Sequence, residues 1–277
     1  MAEETGISWA DSTLNLWIGC QKVSKACDFC YAEIATPSRV KGIKWGPGEP
    51  RQKTAKSTWN SGYKYQRQSN EFRFQHGRDR RVFINSLSDF FDNAIPSEWR
   101  DEAWEMKRQT PGVTWMLLTK RPSNIQKMLP DFWDEIKNSV WIGTTCEDQE
   151  ALDRNAPHLA GLDCITFVSY EPALGPIDIQ AYRDYIDWLI CGGESGPNAR
   201  PMPPLWALQI RDQCQAFGIP FHFKQWGEWL HFSQREAGQI SNSVQYEIIK
   251  DEYWKVGKKL AGFIIDNQII QEFPNVI

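Results

Sequence analysis

A chain of 277 residues with 41% hydrophobic and 13% aromatic content can bury one large core, which excludes a disordered chain. No apolar run approaches the roughly 20 residues that span a bilayer, and the start, MAEETGISWADST, is polar and acidic with no signal-peptide apolar region, so a cytoplasmic protein without membrane association is expected. The net charge of −4 by itself argues against nucleic acid, although the charge is unevenly spread.

In chain order, LNLWI (14–18) reads as a first strand. It runs into CQKVSKACDFCYAE (20–33), which holds three of the seven cysteines at the spacing CxxxxxxCxxC and opens into a helix-like AEIA. Cys146, Cys164, Cys191 and Cys214 are scattered; in a reducing compartment an odd set favours metal binding, catalysis or burial over disulfides. From Lys41 to Arg81 follow eleven basic and three acidic residues, a local +8 against −12 for the remainder. Trp45, Trp59, Tyr63, Tyr65, Phe72 and Phe74 are interleaved there. Cations for phosphates among rings for bases are what a nucleic-acid surface needs, so Arg51, Lys53, Trp59, Tyr63, Lys64, Arg67 and Arg73 are candidate contacts. The competing reading is a solvated basic loop whose rings pack on the body.

Beyond residue 82 short apolar, β-branched runs alternate with helical stretches. The runs are VFIN (82–85), TWMLL (114–118), VWIG (140–143), ITFV (165–168), WLIC (188–191) and PFHF (220–223). Between them lie PSEWRDEAWEMKRQ, SNIQKMLPDFWDEI, QEALDRNAPHLAG and PLWALQIRDQCQAFG, the last ending at a helix-stop glycine, Gly218. This grammar predicts one α/β domain over 1–277: a single (β/α) barrel, partial or near-complete, of about six to eight βα units. The basic 41–81 stretch is an insertion after the first unit, and 230–277 is a small C-terminal β addition, with FIIDNQIIQEF a hairpin turning at Asp266 and Asn267.

Each strand is followed by polar residues: SLSDFF, TKRP, TTCEDQ, SYEP, GGESGPNARP and KQWGEW. In a parallel barrel these share the C-terminal rim with the cysteine loop and predict one polar site, although any one cluster alone could be a turn. Three thiols on one loop make an incomplete metal site. A structural zinc would need a fourth ligand, for which His222 or a distant cysteine is available; a four-iron cluster on three cysteines keeps one iron open, and buried structural cysteines remain an alternative.

The loop after a first strand, with the aromatic of CDFC before the last cysteine, resembles the radical S-adenosylmethionine superfamily. ISWADSTLNLWIGC, ACDFCYAE, WGPGEPR, NSLSDFF, LLTKRP, GTTCEDQ, SYEPALGPIDI, GGESGPNARPM, FKQWGEW and VGKKLAG are similar, almost end to end, to an uncharacterised phage and mobile-element family with a radical-SAM-like three-cysteine motif. The superfamily's usual spacing is CxxxCxxC; the six residues between Cys20 and Cys27 lengthen the loop and keep all three ligands. The resemblance implies a [4Fe–4S] cluster on Cys20, Cys27 and Cys30, S-adenosylmethionine on its open iron, Phe29 beside the adenine, and a 5′-deoxyadenosyl radical. It also implies an electron-donor protein and a partner protein named for the three-cysteine motif, but no established substrate. If the basic 41–81 stretch is a lid that binds phosphate, the substrate is a nucleotide or a nucleic-acid base, with modification or repair suggested by analogy to a phage-linked family.

On that reading Ser88, Asp89, Thr119, Lys120 and Arg121 are the candidates for the cofactor's methionine end, which needs acceptors for its amino group and a cation for its carboxylate. Glu147, Glu171 and Glu194 can accept from ribose hydroxyls or substrate, and Gly192 and Gly193 let backbone approach a ligand. Cys146 and Tyr170 are the candidate radical relays. Two alternatives compete with this enzyme. One is a non-catalytic nucleic-acid-binding protein with a structural iron–sulfur or zinc site. The other is a nuclease with a divalent ion among Asp89, Glu147 and Glu171, which leaves the three cysteines unexplained.

Overall fold

The computed structural model describes residues 5–34, 42–234, 247–249 and 252–275. The chain forms two compact units. The first takes residues 1–24, 32–144 and 158–166; the second takes 25–31, 145–157 and 167–277. Lys41 and residues 235–246 lie outside the described part.

In the first unit β1 (Ser12–Leu14), β4 (Arg80–Ile84), β5 (Val113–Thr119) and β6 (Val140–Thr145) pair in parallel in that order. β4 and β6 are almost wholly buried, which is why their sequences read as unbroken apolar runs without alternation. In the second unit β7 (Ile165–Tyr170), β8 (Trp188–Gly192) and β9 (Phe221–Gln225) pair in parallel in order. Seven parallel strands alternating with helices make the protein mixed α/β, as expected. No helix among the described residues is long and apolar enough to cross a membrane.

The first strand lies ahead of the expected LNLWI (14–18) and shares only Leu14 with it. β1 stops at Leu14, and the side chain of the next residue, Asn15, accepts from the Leu87 N–H (2.8 Å). Trp17–Ile18 (β2) then pairs antiparallel with Gln52–Lys53 (β3). The basic segment differs more from expectation. Lys56–Arg67 and Ser69–His76 are helices α2 and α3, numbered after a short α1 at Tyr31–Ile34, and they join β1 to its parallel neighbour β4. Trp59, Gly62, Tyr65 and Phe72 recur at helical spacing and are buried. Gly62 packs so tightly that a Cβ there would stand 2.6 Å from Met106 Sδ. Residues 42–81 therefore carry two helices that link β1 to β4 and pack their apolar face inward. Each buried ring contributes roughly 1.5–3 kcal/mol, while Lys56, Lys64 and Arg67 of α2 and Arg73 of α3 are exposed.

Helix α4 (Ser97–Arg108) carries an unusual charge. Lys107 is fully buried; its Nζ donates to the Ala103 carbonyl (3.2 Å) and lies 4.4, 5.1 and 5.7 Å from the ring centroids of Phe90, Trp104 and Trp115. Burial pushes its ammonium well below the usual lysine range. The unfolded chain keeps this lysine protonated to about pH 10.4, so unfolding takes up a proton at any pH between the lowered folded value and that point. Stability therefore rises with pH across this window. Lys107→Met removes the slope and the desolvation cost and is expected to stabilise by roughly 1–3 kcal/mol at pH 7. Urea unfolding at pH 6, 7.5 and 9 checks this: the wild-type midpoint climbs and the variant's stays level, whereas a level wild type would mean the ammonium stays charged.

The remaining α-helices among the described residues are α5 (Ile125–Met128), α6 (Trp133–Ile136), α7 (Gln149–Asn155), α8 (Pro204–Phe217) and α9 (Lys258–Ala261). The predicted single helix through SNIQKMLPDFWDEI is broken into α5 and α6 at Leu129–Pro130, where proline disfavours helical backbone in the residue before it. α8 ends at Gly218 (φ 69°), as its sequence indicated. In the C-terminal stretch β10 (Trp229–His231) and β11 (Glu247–Ile249) flank β12 (Tyr253–Lys255) antiparallel. The DN turn is also as expected: Asp266 and Asn267 have φ of 51° and 62°, and Ile265 bridges Gln268.

Candidate functional site

The expected rim residues gather into one cluster in each unit. In the first, the loops after β4 and β5 meet. Asp89 accepts from Thr119 Oγ1 (2.7 Å), the Lys120 N–H (3.0 Å), Arg121 Nη1 (2.9 Å) and the Phe91 N–H (3.0 Å). Arg121 reaches onward, with Nη1 3.5 Å from Cys20 Sγ and Nη2 donating to the Gln21 carbonyl (3.0 Å). Behind it Asp92 accepts from Arg51 Nε (2.9 Å) and stands 3.7 Å from Arg121 Nε; Arg100 donates to the Asp92 carbonyl (3.0 Å). This buried lattice holds the start of the cysteine loop. Burial and the neighbouring Asp89 charge, opposed by Arg121, push the Cys20 thiol up to about 11.

Several of the proposed cofactor residues thus spend their polar atoms on protein. Asp89 has four donors, Thr119 gives its hydroxyl to Asp89, and the Ser88 hydroxyl donates to the Trp17 carbonyl (3.0 Å). The Lys120 side chain forms no ion pair among the described residues.

In the second unit the cysteine loop continues as a 3-10 turn, Lys25–Cys27, followed by Asp28, Phe29 and Cys30. Cys27 is buried, Cys30 half-buried and Phe29 40% exposed. Lys25 forms an ion pair with Asp148, which also caps α7 through the Ala151 N–H (3.0 Å). Glu171 pairs with Lys224 Nζ (2.9 Å), and Glu194 gives both carboxylate oxygens to Arg200 (2.6 and 2.8 Å). Of the three glutamates expected to meet ribose or substrate, only Glu147 is without an ion pair among the described residues; it is buried. Gly192 and Gly193 admit protein rather than a ligand. A Cβ on Gly192 would meet Glu171 Oε1 at 2.6 Å, and one on Gly193 the Trp226 carbonyl oxygen at 2.0 Å.

The two nominated relays are closed off. Cys146 is fully buried and burial holds its thiol protonated; Tyr170 is buried and donates its hydroxyl to the Gly175 carbonyl in its own loop. Of the nucleic-acid candidates, Arg51 and Trp59 are buried, which withdraws them from any surface. Lys53 pairs with Glu102 and lies 4.6 Å from the Trp59 ring, and Tyr63 is half-buried. Lys64, Arg67 and Arg73 are exposed on α2 and α3, Arg73 paired with Asp79 (2.5 Å), and Phe74 beside them is 91% exposed.

Reading along the sequence missed Asp92, Arg100, Lys224 and Arg200. Arg200 had a signal, a lone cation in the GGESGPNARP segment that follows β8; Asp92 and Lys224 have side-chain partners distant in sequence, and Arg100 donates to main-chain carbonyls, which no sequence pattern marks.

All seven cysteines are free. Three thiols on one loop are soft donors suited to iron–sulfur ligation or zinc, and at Cys20 the Arg121 guanidinium opposes the burial that holds the thiol protonated without overcoming it. Among the described residues no three His, Cys, Asp or Glu side chains stand close enough to hold one ion.

The site and fold define a class: a mixed α/β protein with seven parallel strands and three free thiols on one loop. The chain belongs to the family described as "Protein of unknown function (DUF5131)", which matches residues 4–274. No curated protein matches it. Among solved structures it is similar to a spore photoproduct lyase double mutant with bound AdoMet and dinucleoside spore photoproduct, at 10% identity over 90% of this chain and 68% of that one (TM-score 0.43). A second spore photoproduct lyase mutant matches at 10% identity over 90% and 69% (TM-score 0.44). The lyase complexed with dinucleoside spore photoproduct matches at 9% over 90% and 69% (TM-score 0.41).

Proposed function

We propose that this chain is a radical S-adenosylmethionine-type iron–sulfur enzyme on a partial (β/α) barrel, acting on a nucleotide or a nucleic-acid base. The observation that carries the reading is the cysteine loop itself: three free thiols, the first held by Arg121 through a buried lattice built at the ends of β4 and β5. The donor set fits a [4Fe–4S] cluster with one open iron. Such a cluster, with S-adenosylmethionine bound, supplies one-electron cleavage to a 5′-deoxyadenosyl radical.

Cys20, Cys27 and Cys30 are the ligands in this reading. Lys120, which forms no ion pair among the described residues, takes the cofactor's carboxylate; Phe29 lies along the adenine; Glu147 accepts from ribose. Arg121 and Asp89 keep Cys20 in place. An electron-donor protein supplies the electron, and the exposed Lys64, Arg67 and Arg73 of α2 and α3 offer a phosphate backbone its cations.

Anaerobic iron and sulfide analysis of reconstituted protein, with electron paramagnetic resonance before and after S-adenosylmethionine, tests this. About four irons, lost in Cys27→Ala, and a spectrum perturbed by the cofactor are expected. Zinc in place of iron, or a cluster indifferent to S-adenosylmethionine, overturns the radical reading.

A further inference from the structure

Between Cys20 and Cys30 the chain has little regular structure to hold it. The second-unit part of the loop is one 3-10 turn and three further residues before α1 begins at Tyr31. A segment so short of backbone pairing opens locally unless side chains fasten it. Besides Asp148, which pairs with Lys25, one side chain from elsewhere in the unit reaches it at three points. Arg200 Nη2 donates to the Lys25 carbonyl (3.0 Å), Nη1 stands 3.5 Å from Asp28 Oδ2, and the guanidinium carbon lies 5.1 Å from the centroid of the Phe29 ring.

Arg200 is itself held on its other side. Its main-chain N–H and Nε each donate to Glu194 Oε2 (2.8 Å), and Nη2 donates to Oε1 (2.6 Å). The Glu194 carboxylate is 5% exposed, so it makes a fixed anchor. A bidentate arginine–carboxylate pair sets the plane of the guanidinium as well as its position, and the remaining donor edge is thereby aimed at the loop. Glu194 also neutralises the cation, which leaves no net charge for an anionic ligand.

We propose that Arg200 is a positioning residue: anchored on Glu194, it fixes Lys25 to Phe29 so that Cys27 and Cys30 are presented in a set geometry before any metal arrives. The proposal rests on reading these cysteines as ligands, but it concerns the metal-free chain and is tested there. In metal-free full-length protein, alkylation by iodoacetamide is followed cysteine by cysteine by mass spectrometry, together with amide hydrogen exchange over residues 25–31.

In Arg200→Ala, Cys27, buried in the wild type, is expected to react about tenfold faster and the loop amides to exchange faster, the local opening that follows loss of charge-assisted hydrogen bonds. Cys191 and Cys214, buried in β8 and α8, keep their slow rates. Arg200→Lys does not restore protection, because an ammonium cannot serve Glu194 and the loop in one plane. Glu194→Gln loosens the same residues with Arg200 still present. Unchanged Cys27 reactivity in Arg200→Ala overturns the proposal, and so does full protection in Arg200→Lys, which would reduce the role to charge alone. Equal acceleration of Cys191 and Cys214 in both the Arg200→Ala and Glu194→Gln variants also overturns it, by making the pair a support of the whole unit. Failure of the iron–sulfur reading would appear in the metal content and leave these rates untouched.

Discussion

Asp92→Ala is expected to lower the unfolding free energy by about 3–5 kcal/mol, enough to leave the first unit marginal. The Asp92 and Arg51 side chains are 2% and 1% exposed, so neither charge has water to fall back on. Arg51 spends Nε on Asp92 and Nη1 on the Glu49 carbonyl (2.7 Å), while its Nη2 is buried without a hydrogen-bond partner. Removing the carboxylate strands a cation already short of acceptors, and the cost is that of an uncompensated buried charge. The same change takes the acceptor from the Ala94 N–H (3.1 Å) and frees Arg121 on one side. Asp92→Asn keeps the shape and loses the charge, and should cost nearly as much. The double variant Arg51→Met with Asp92→Leu removes both charges and should recover most of the loss. Urea unfolding of the three variants decides it: a cost below about 1 kcal/mol for Asp92→Ala would mean that the lattice does not carry the first unit.

What was legible in the sequence follows from which forces act locally. The six strands after residue 82 were readable because a strand buried on both faces must be apolar throughout. Asp89, Thr119 and Arg121 could be placed together because parallel pairing brings successive strand ends to one edge, and the cluster is there. The basic segment was readable only in part. Its charges and rings were counted along the chain, but a helix sorts them by face, and Trp59, Tyr65 and Phe72 went inward. Glu171 and Glu194 looked available because their partners lie elsewhere: Lys224 is on another strand, and Arg200 comes after a turn whose path the sequence does not give. Whether a carboxylate is free for a ligand is a question of tertiary neighbours, and the sequence alone could not decide it.

Gly193→Ala is expected to prevent the second unit from closing, a loss above about 4 kcal/mol or failure to yield soluble protein. Just past β8, the backbone of Gly193 runs against that of Trp226 and Gly227. An ideal Cβ on Gly193 would lie 2.0 Å from the Trp226 carbonyl oxygen and 2.7 Å from its carbon. These are main-chain atoms fixed by further bonds: Gly193 N–H donates to the Gln225 carbonyl (2.9 Å), Trp226 N–H to Gly262 (3.0 Å) and Glu228 N–H to Glu194 (3.0 Å). Neither chain can retreat without breaking that set, so the methyl acts as overpacking against backbone, which relaxes far less than a side chain. Gly227 makes the reciprocal demand, with its Cβ position 2.1 Å from the Glu194 carbonyl oxygen and a φ of 89° that disfavours any other residue. Because Glu194 is the anchor of Arg200, a displaced Gly193 also moves the clamp on the cysteine loop. Gly6→Ala, whose methyl meets nothing within 4 Å, is the matched control and should unfold with the wild type. Soluble yield and near-ultraviolet circular dichroism of the two variants read the outcome. A well-folded Gly193→Ala protein with wild-type stability would show that the two backbones are farther apart in solution and that the glycine pair is available to a ligand after all.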